Sequence, residues 1–251
     1  MSAAARLGLR LAAVQLLRDD PVLAAATGGQ VLDSRSGATE PADLPIVLVH
    51  TESTEGKAWS ANNGGPPFSL TCDIVFEITH VASIENDDGE TLLFRPVTTA
   101  ELEAALDIVE WRIPIALAFS DSPLGIACRR FVLKRITDYQ CERFEDDEGV
   151  RRASRLLRLS CELVEDEHDD PADPLPTGPY ASLPEPLRSL APLLPAGSAG
   201  RNVIDQVAAA IAAPAAELFL EGVDMTVRPG PKPRPDPTDG AEYGARADLE
   251  D

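Results

Sequence analysis

The apolar positions of this chain follow two periods, one near 3.6 and one of two, and the two alternate along the first 165 residues. Leu7, Leu11, Val14 and Leu17 share one helical face, so residues 3–18 are predicted to form an amphipathic first helix. Asp19-Asp20-Pro21 should end it, because proline disfavours helix at the residue before it. Val31-Leu32-Asp33 reads as a short strand. From Leu44 to Thr51 the run Ile46, Val47, Leu48 and Val49 is apolar without a break, which predicts a strand covered on both faces. Residues 52–67 are polar and finish on Asn62-Asn63-Gly64-Gly65-Pro66-Pro67, a cluster that reads as a loop. The next strand, 68–82, alternates. Phe68, Leu70, Cys72, Ile74, Phe76 and Ile78 fall on one side; Ser69, Thr71, Asp73, Glu77 and Thr79 fall on the other, with Val75 as the exception.

Thr98-Thr99-Ala100-Glu101 fits a capping box with Thr98 as N-cap. Leu102, Leu106, Val109 and Ile113 follow at helical spacing, and Pro114 is expected to kink or end that helix. Phe131–Arg143 and Ala153–Val164 read as two strands of a β-hairpin, with Leu157, Leu159, Cys161 and Leu163 on the inner face. The order helix, strands, helix, hairpin predicts an α+β fold: a mostly antiparallel sheet with two helices packed on one face.

Composition changes near residue 165. Glu165 to Asp170 is a charge run, read as a solvated link. Residues 1–165 are therefore expected to fold alone. Residues 166–227 form a Pro- and Ala-rich extension with a leucine set, Leu183, Leu187, Leu190 and Leu194, and a short helix near 201–213. That extension is expected to lie as an arm outside the core. Residues 228–251, rich in proline and charge, are expected to be disordered.

The formal charge is −20, which argues against holding nucleic acid through clustered Lys and Arg. Cys72, Cys128, Cys141 and Cys161 show no C-x-x-C spacing and are expected to be buried thiols. The N-terminal stretch, with Arg6 and Arg10 ahead of an apolar run, imitates a signal peptide, but the run is short and contains Gln15, so it is read as mature helix. No run approaches the ~20 apolar residues of a membrane span.

The three histidines, His50, His80 and His168, show no metal-ligand spacing. No phosphate-binding glycine loop and no nucleophile elbow is present. The pairs Asp87-Asp88 and Asp146-Asp147 read as solvated turns. Neither catalytic residue, metal, nor cofactor is expected. The segment Asn63, Gly64, Gly65, Pro66, Pro67 and Phe68 has two readings, a rigid loop into a strand or an ordered contact with a neighbouring subunit.

Several features, taken in order, resemble the tail terminator proteins of lambda-like long-tailed phages. They are Leu9-Arg10-Leu11-Ala12-Ala13-Val14; Val31-Leu32-Asp33-Ser34-Arg35; Leu44-Pro45-Ile46-Val47-Leu48-Val49-His50-Thr51; Asn63-Gly64-Gly65-Pro66-Pro67-Phe68; and Glu101-Leu102-Glu103-Ala104-Ala105-Leu106. The resemblance covers residues 5–165, and the order of the motifs carries it. It implies a structural virion protein without catalytic residues, a hexameric ring that caps the tail tube and joins it to the head. The implied partners are other copies of the chain, the major tail tube protein and a head-completion or stopper protein. Viral DNA would pass through without specific binding, with the acidic loop Glu145, Asp146, Asp147 and Glu148 repelling it. The implied place is the head–tail junction of the virion, assembled in the host bacterial cytoplasm. The long C-terminal extension departs from the compact members of that family. Competing readings are a head-completion or neck protein, a cellular binding module, and an unrecognised hydrolase.

Overall fold

The structure, a computed structural model, describes residues 2–34, 45–60, 63–80, 83–85, 91–93, 99–145, 153–164 and 176–212. The first helix, α1 (Ser2–Asp19), is followed by α2 (Pro21–Thr27) and the strand β1 (Val31–Asp33). Two long strands, β2 (Ile46–Ser60) and β3 (Asn63–His80), come next, then the small pair β4 (Ser83–Glu85) and β5 (Thr91–Leu93). The helices α3 (Thr99–Phe119) and α4 (Pro123–Phe131) precede the hairpin β6 (Leu133–Glu145) and β7 (Ala153–Leu163). A short helix α5 (Leu187–Leu190), a 3-10 turn (Ala191–Leu193) and α6 (Ala199–Ala212) complete the described elements.

The main sheet has the order β1-β2-β3-β7-β6. All its pairings are antiparallel except β1 with β2, where Val31 lies beside Val47. The expected α+β class with a mostly antiparallel sheet is what the fold shows, and the short helix expected near 201–213 is present as α6; the described residues hold six helices, where two on the sheet and that short one were expected. The alternation read in β3 holds: Leu70, Cys72, Ile74, Phe76 and Ile78 are buried and join Leu157, Leu159, Cys161 and Leu163 of β7 in one core. Val75 is also fully buried, flanked in register by His50 and Arg158 on the other face.

Three expectations need correction. Residues 52–60 are not loop but the second half of β2, paired with β3 through Ser60 opposite Asn63. Backbone pairing continues past the buried part of the hairpin, with register shifts between Thr51 and Thr54 and between Ala58 and Ser60. Pro114 does not end α3, which runs on to Phe119. A proline there removes one helical hydrogen bond, at about 3 kcal/mol, but Ile113, Ala116 and Leu117 are buried around it and outweigh that loss. Phe68, expected on the inner face, is exposed, because β7 stops pairing with β3 at Leu70.

Helix α1 was expected to be amphipathic, with one apolar stripe. Instead Leu11 to Leu17 are all buried, Gln15 included. A helix apolar on every side needs cover on every side. The sheet covers one side. The other is covered by the C-terminal segment, where Leu183, Leu187, Leu190, Leu194, Ile204 and Ala208 are buried in the same core. Gly8 makes the approach close: a Cβ there would stand 3.0 Å from Pro186 Cγ and 3.2 Å from Leu190 Cδ1. The compact unit runs to Ala212, well past the composition change at residue 165 where the domain was expected to close. The leucine set thus lies in the core and not on an outer arm. Residues 165–175 lie outside the described residues, as does everything beyond Ala212, including the expected strand at 217–227 and the tail 228–251.

Other contacts fix the helical layer. Asp20 caps α2, accepting from Val22 N at 3.0 Å and Leu23 N at 3.1 Å, and its second oxygen accepts from Arg112 Nε of α3 at 2.9 Å. Arg18 Nε donates to the Val31 carbonyl at 2.7 Å, and Arg10 pairs with Asp33 at 2.8 Å, so α1 pins the three-residue strand β1. Leu190→Ala is expected to lower stability by about 2–5 kcal/mol through the cavity it leaves. Gly8→Val should lower it by about 1–3 kcal/mol through overpacking against Pro186 and Leu190. Thermal melting of the full chain measures both, and an unchanged midpoint for Leu190→Ala would place the segment outside the core.

Candidate interaction surfaces

The segment singled out in the sequence lies in a two-stranded ribbon. Pairing of β3 with β7 ends at Leu70 opposite Leu163, while β2 and β3 continue together, Lys57 beside Ser69 and Ala58 beside Phe68. Lys57–Ser60 and Asn63–Ser69 therefore lie beyond the five-stranded sheet. Lys57, Ala58, Phe68 and Ser69 are all exposed. Asn63, Gly64, Gly65, Pro66 and Pro67 are the first five residues of β3 by backbone, and an isolated pair of strands is marginally stable in water. From Ala58 to Cys72 no residue is ionisable at neutral pH, in a chain where 25% of residues are charged. The run includes Trp59 and Phe68. The acidic loop is placed only at its edge: Glu145 ends β6, and Asp146, Asp147 and Glu148 lie outside the described residues.

The sheet face away from the helices is polar and internally answered. Asp73 accepts from Ser53 Oγ at 2.7 Å and from Ser160 Oγ at 2.6 Å. Glu52 meets Arg158 at 2.7 Å, and His50 stands between Glu52 at 3.9 Å and Glu77 at 3.7 Å. Glu162 takes Lys134 at 2.6 Å and Arg135 at 2.5 Å, and those two hydrogen bonds lower its pKa. Pairs this exposed contribute little stability.

A second cluster ties α3 to the hairpin β6–β7. Arg155 meets Glu103 at 2.7 Å and Asp107 at 2.6 Å, and also Glu110, which in turn accepts from the Tyr139 hydroxyl. Burial works to raise the Glu110 pKa, and the hydrogen bonds from Tyr139 and Arg155 outweigh it, so the net shift is downward. Burial and Glu110 together push the Tyr139 phenol up. Of the four thiols, Cys72, Cys128 and Cys161 are buried as expected, while Cys141 is half-buried. Burial raises all four pKa values, Cys128 and Cys141 to about 12, so these thiols are poor nucleophiles.

The surface that the sequence reading missed is the outer side of α3. Leu106, Val109, Ile113, Ala116 and Leu117 face the core. Ile108, Trp111, Ile115 and Phe119, spaced three, four and four residues apart, form a second apolar stripe on the opposite side. Ile108 is 47%, Trp111 62% and Phe119 73% exposed. Beside Phe119 a groove of about 280 Å³ is lined by Leu16, Asp20, Pro21, Arg112, Ile115 and Asp121. The signal was present: α3 is apolar in both registers, as buried helices are.

Among the described residues, no group of three or more His, Cys, Asp or Glu side chains is placed to hold a metal ion. Nor is any described helix long and apolar enough to cross a membrane. In comparison with known proteins, no family model matches the chain, and no curated protein is significantly similar to it.

The depressed Glu110 pKa carries a pH signature. A carboxylate whose folded pKa is lowered contributes stability above its unfolded value, and that stability is lost as pH falls through the folded value. Glu110→Gln is therefore expected to destabilise the chain slightly at neutral pH, on the order of a few tenths of a kcal/mol for so open a cluster. The difference from wild type should begin to shrink as pH falls below the ordinary carboxyl value of 4.5 and vanish once pH has passed the lower folded value. Urea titrations at neutral and acid pH test this; a difference independent of pH would show that Glu110 acts only through packing.

Proposed function

We propose that this chain is a structural assembly subunit that closes into a ring, and in particular a tail terminator of a long-tailed phage. One observation carries the assembly reading: the ribbon of β2 and β3 runs on past the end of β7 with Ala58, Phe68 and Ser69 exposed, and its sequence holds no charged residue from Ala58 to Ser69, in a chain of net charge −20. Interface centres are depleted of charge and enriched in aromatics, which is the composition of this ribbon. A solvated surface hairpin needs neither property. The motif order from Leu9 to Leu106 supports the narrower reading as a tail terminator. In that role the ring caps the tail tube at the head–tail junction, touches the tube protein below and a head-completion protein above, and lets DNA pass. The acidic balance fits a channel that repels DNA and does not hold it.

The test has two stages. Native mass spectrometry and negative-stain microscopy of the full chain should show closed rings, six subunits being the expected number. Fluorescently labelled chain mixed with purified tail tubes should then sit at one tube end. A protein that stays monomeric both alone and with tubes would overturn the ring. A ring that ignores tube ends would overturn the terminator role alone.

A further inference from the structure

We infer that the outer face of α3, with the groove beside Phe119, receives an amphipathic helix of a partner protein that carries basic residues along the edges of its apolar face. This surface is separate from the β2–β3 ribbon and does not depend on ring closure.

The apolar part comes first. Ile108, Trp111, Ile115 and Phe119 fall within about a quarter of a turn of one another around α3. Leu106, Val109, Ile113 and Leu117, on the other side of the helix, are already buried in the core. Trp111 and Phe119 are mostly exposed, and together they leave on the order of 200–300 Å² of aromatic surface in water. With Ile108 the patch reaches the few hundred Å² that marks an interaction site. A helix offers no free backbone edge for a strand to pair with. Its apolar stripe is covered by packed side chains, and a second helix laid along it supplies them at matching spacing. From Ile108 to Phe119 is roughly 17 Å at helical rise, room for about three turns of a partner helix.

Charge selects the partner. One end of the stripe runs into the groove, whose walls include the ends of two helices: Asp19 closes α1 and Phe119 closes α3. The last carbonyls of a helix lack intrahelical donors and carry partial negative charge. No basic residue stands in the last turn of α3 to offset it. Arg112, in the groove wall, is committed to Asp20 at 2.9 Å. Asp19 accepts from the Gln15 amide at 2.8 Å, and Asp121 is exposed; among the described residues neither forms an ion pair. Exposed Asp107 flanks the other end of the stripe. An apolar strip with carboxylates at both ends matches a helix with apolar anchors and flanking Lys or Arg. A lysine stem can lie along Pro21 and Phe119 while its ammonium reaches Asp19 or Asp121. A second copy would bring like-charged borders together, in a chain of net charge −20.

The test uses the full-length chain and a synthetic probe. The probe is a labelled helical peptide with leucines along one face at the spacing of the stripe and lysines on both flanks; its control has glutamate for every lysine. In fluorescence anisotropy the lysine peptide should bind with a Kd on the order of micromolar, and the glutamate peptide about tenfold more weakly or worse. Trp111→Asp and Phe119→Asp, both at exposed positions, should each weaken the lysine peptide about thirtyfold, the effect of losing a dominant aromatic anchor. Asp19→Asn with Asp121→Asn should weaken it about fivefold and flatten its salt dependence. Glu55→Gln with Glu77→Gln removes the same charge from the opposite sheet face and should change neither. Equal losses in the two double variants, or no loss with Trp111→Asp and Phe119→Asp, mean that net charge alone draws the peptide, and overturn the site. So does a wild type that fails to bind the lysine peptide at about a hundred times the expected Kd. Self-association that Trp111→Asp abolishes and the peptide does not compete with assigns the stripe to a second copy and overturns the basic partner.

Discussion

The fold depends on covering α1. A helix buried from Leu11 through Leu17 cannot be satisfied by one sheet, because a sheet covers only one side. The described structure is arranged around that requirement. β2 and β3 supply the floor, α2, α3 and α4 the flanks, and residues 183–208 the lid. The polar contacts follow the same logic. Arg10 and Arg18 reach past the apolar surface to β1, and Asp20 joins the end of α1 to both α2 and α3. Gly8 is the point of closest approach, where a single absent Cβ lets Pro186 and Leu190 sit against the helix.

With the core closed in this way, the remaining apolar surface is conspicuous. The polar sheet face has its charges answered locally: Asp73 by two serines, Glu162 by two cations, Glu52 by Arg158. Among the described residues, Phe68 of the ribbon and Ile108, Trp111 and Phe119 on the outer side of α3 stay exposed. A net charge of −20 keeps copies apart at long range, and it makes neutral patches the places where contact is least opposed. The physical case for assembly rests on that contrast between a charged surface and two neutral patches, and on no single motif.

The sequence was most legible where one side of an element is wet. β3 and β7 alternate because each strand has one buried and one solvated face, and Cys72, Ile74, Phe76, Leu157 and Leu159 fell where period two placed them. Legibility failed where two demands shared a segment. Ribbon residues such as Gly64, Pro66 and Pro67 carry turn chemistry, which hid strand pairing that continues through them. Pro114 signalled a kink or an end, and burial of Ile113 and Leu117 carried α3 on past it. The short α4 passed unread, although Ser122 accepts from Gly125 N at 3.0 Å and Pro123 opens the helix, both ordinary start signals. For the C-terminal segment the prolines suggested an extended arm; the leucines between them were the better guide, since each is buried in the core. The second stripe of α3 was overlooked because the first was sufficient to define a helix.

Synthesis order and packing order run in opposite directions in this chain. Helix α1 leaves the ribosome well before the residues that finish covering it, up to Ala208. Throughout that interval the nascent protein carries an apolar helix with one side open to water. Such a species is aggregation-prone, and its lifetime is set by translation. The late lid therefore gives the finished domain its tight centre and leaves the growing chain open to misassociation until that lid has been made.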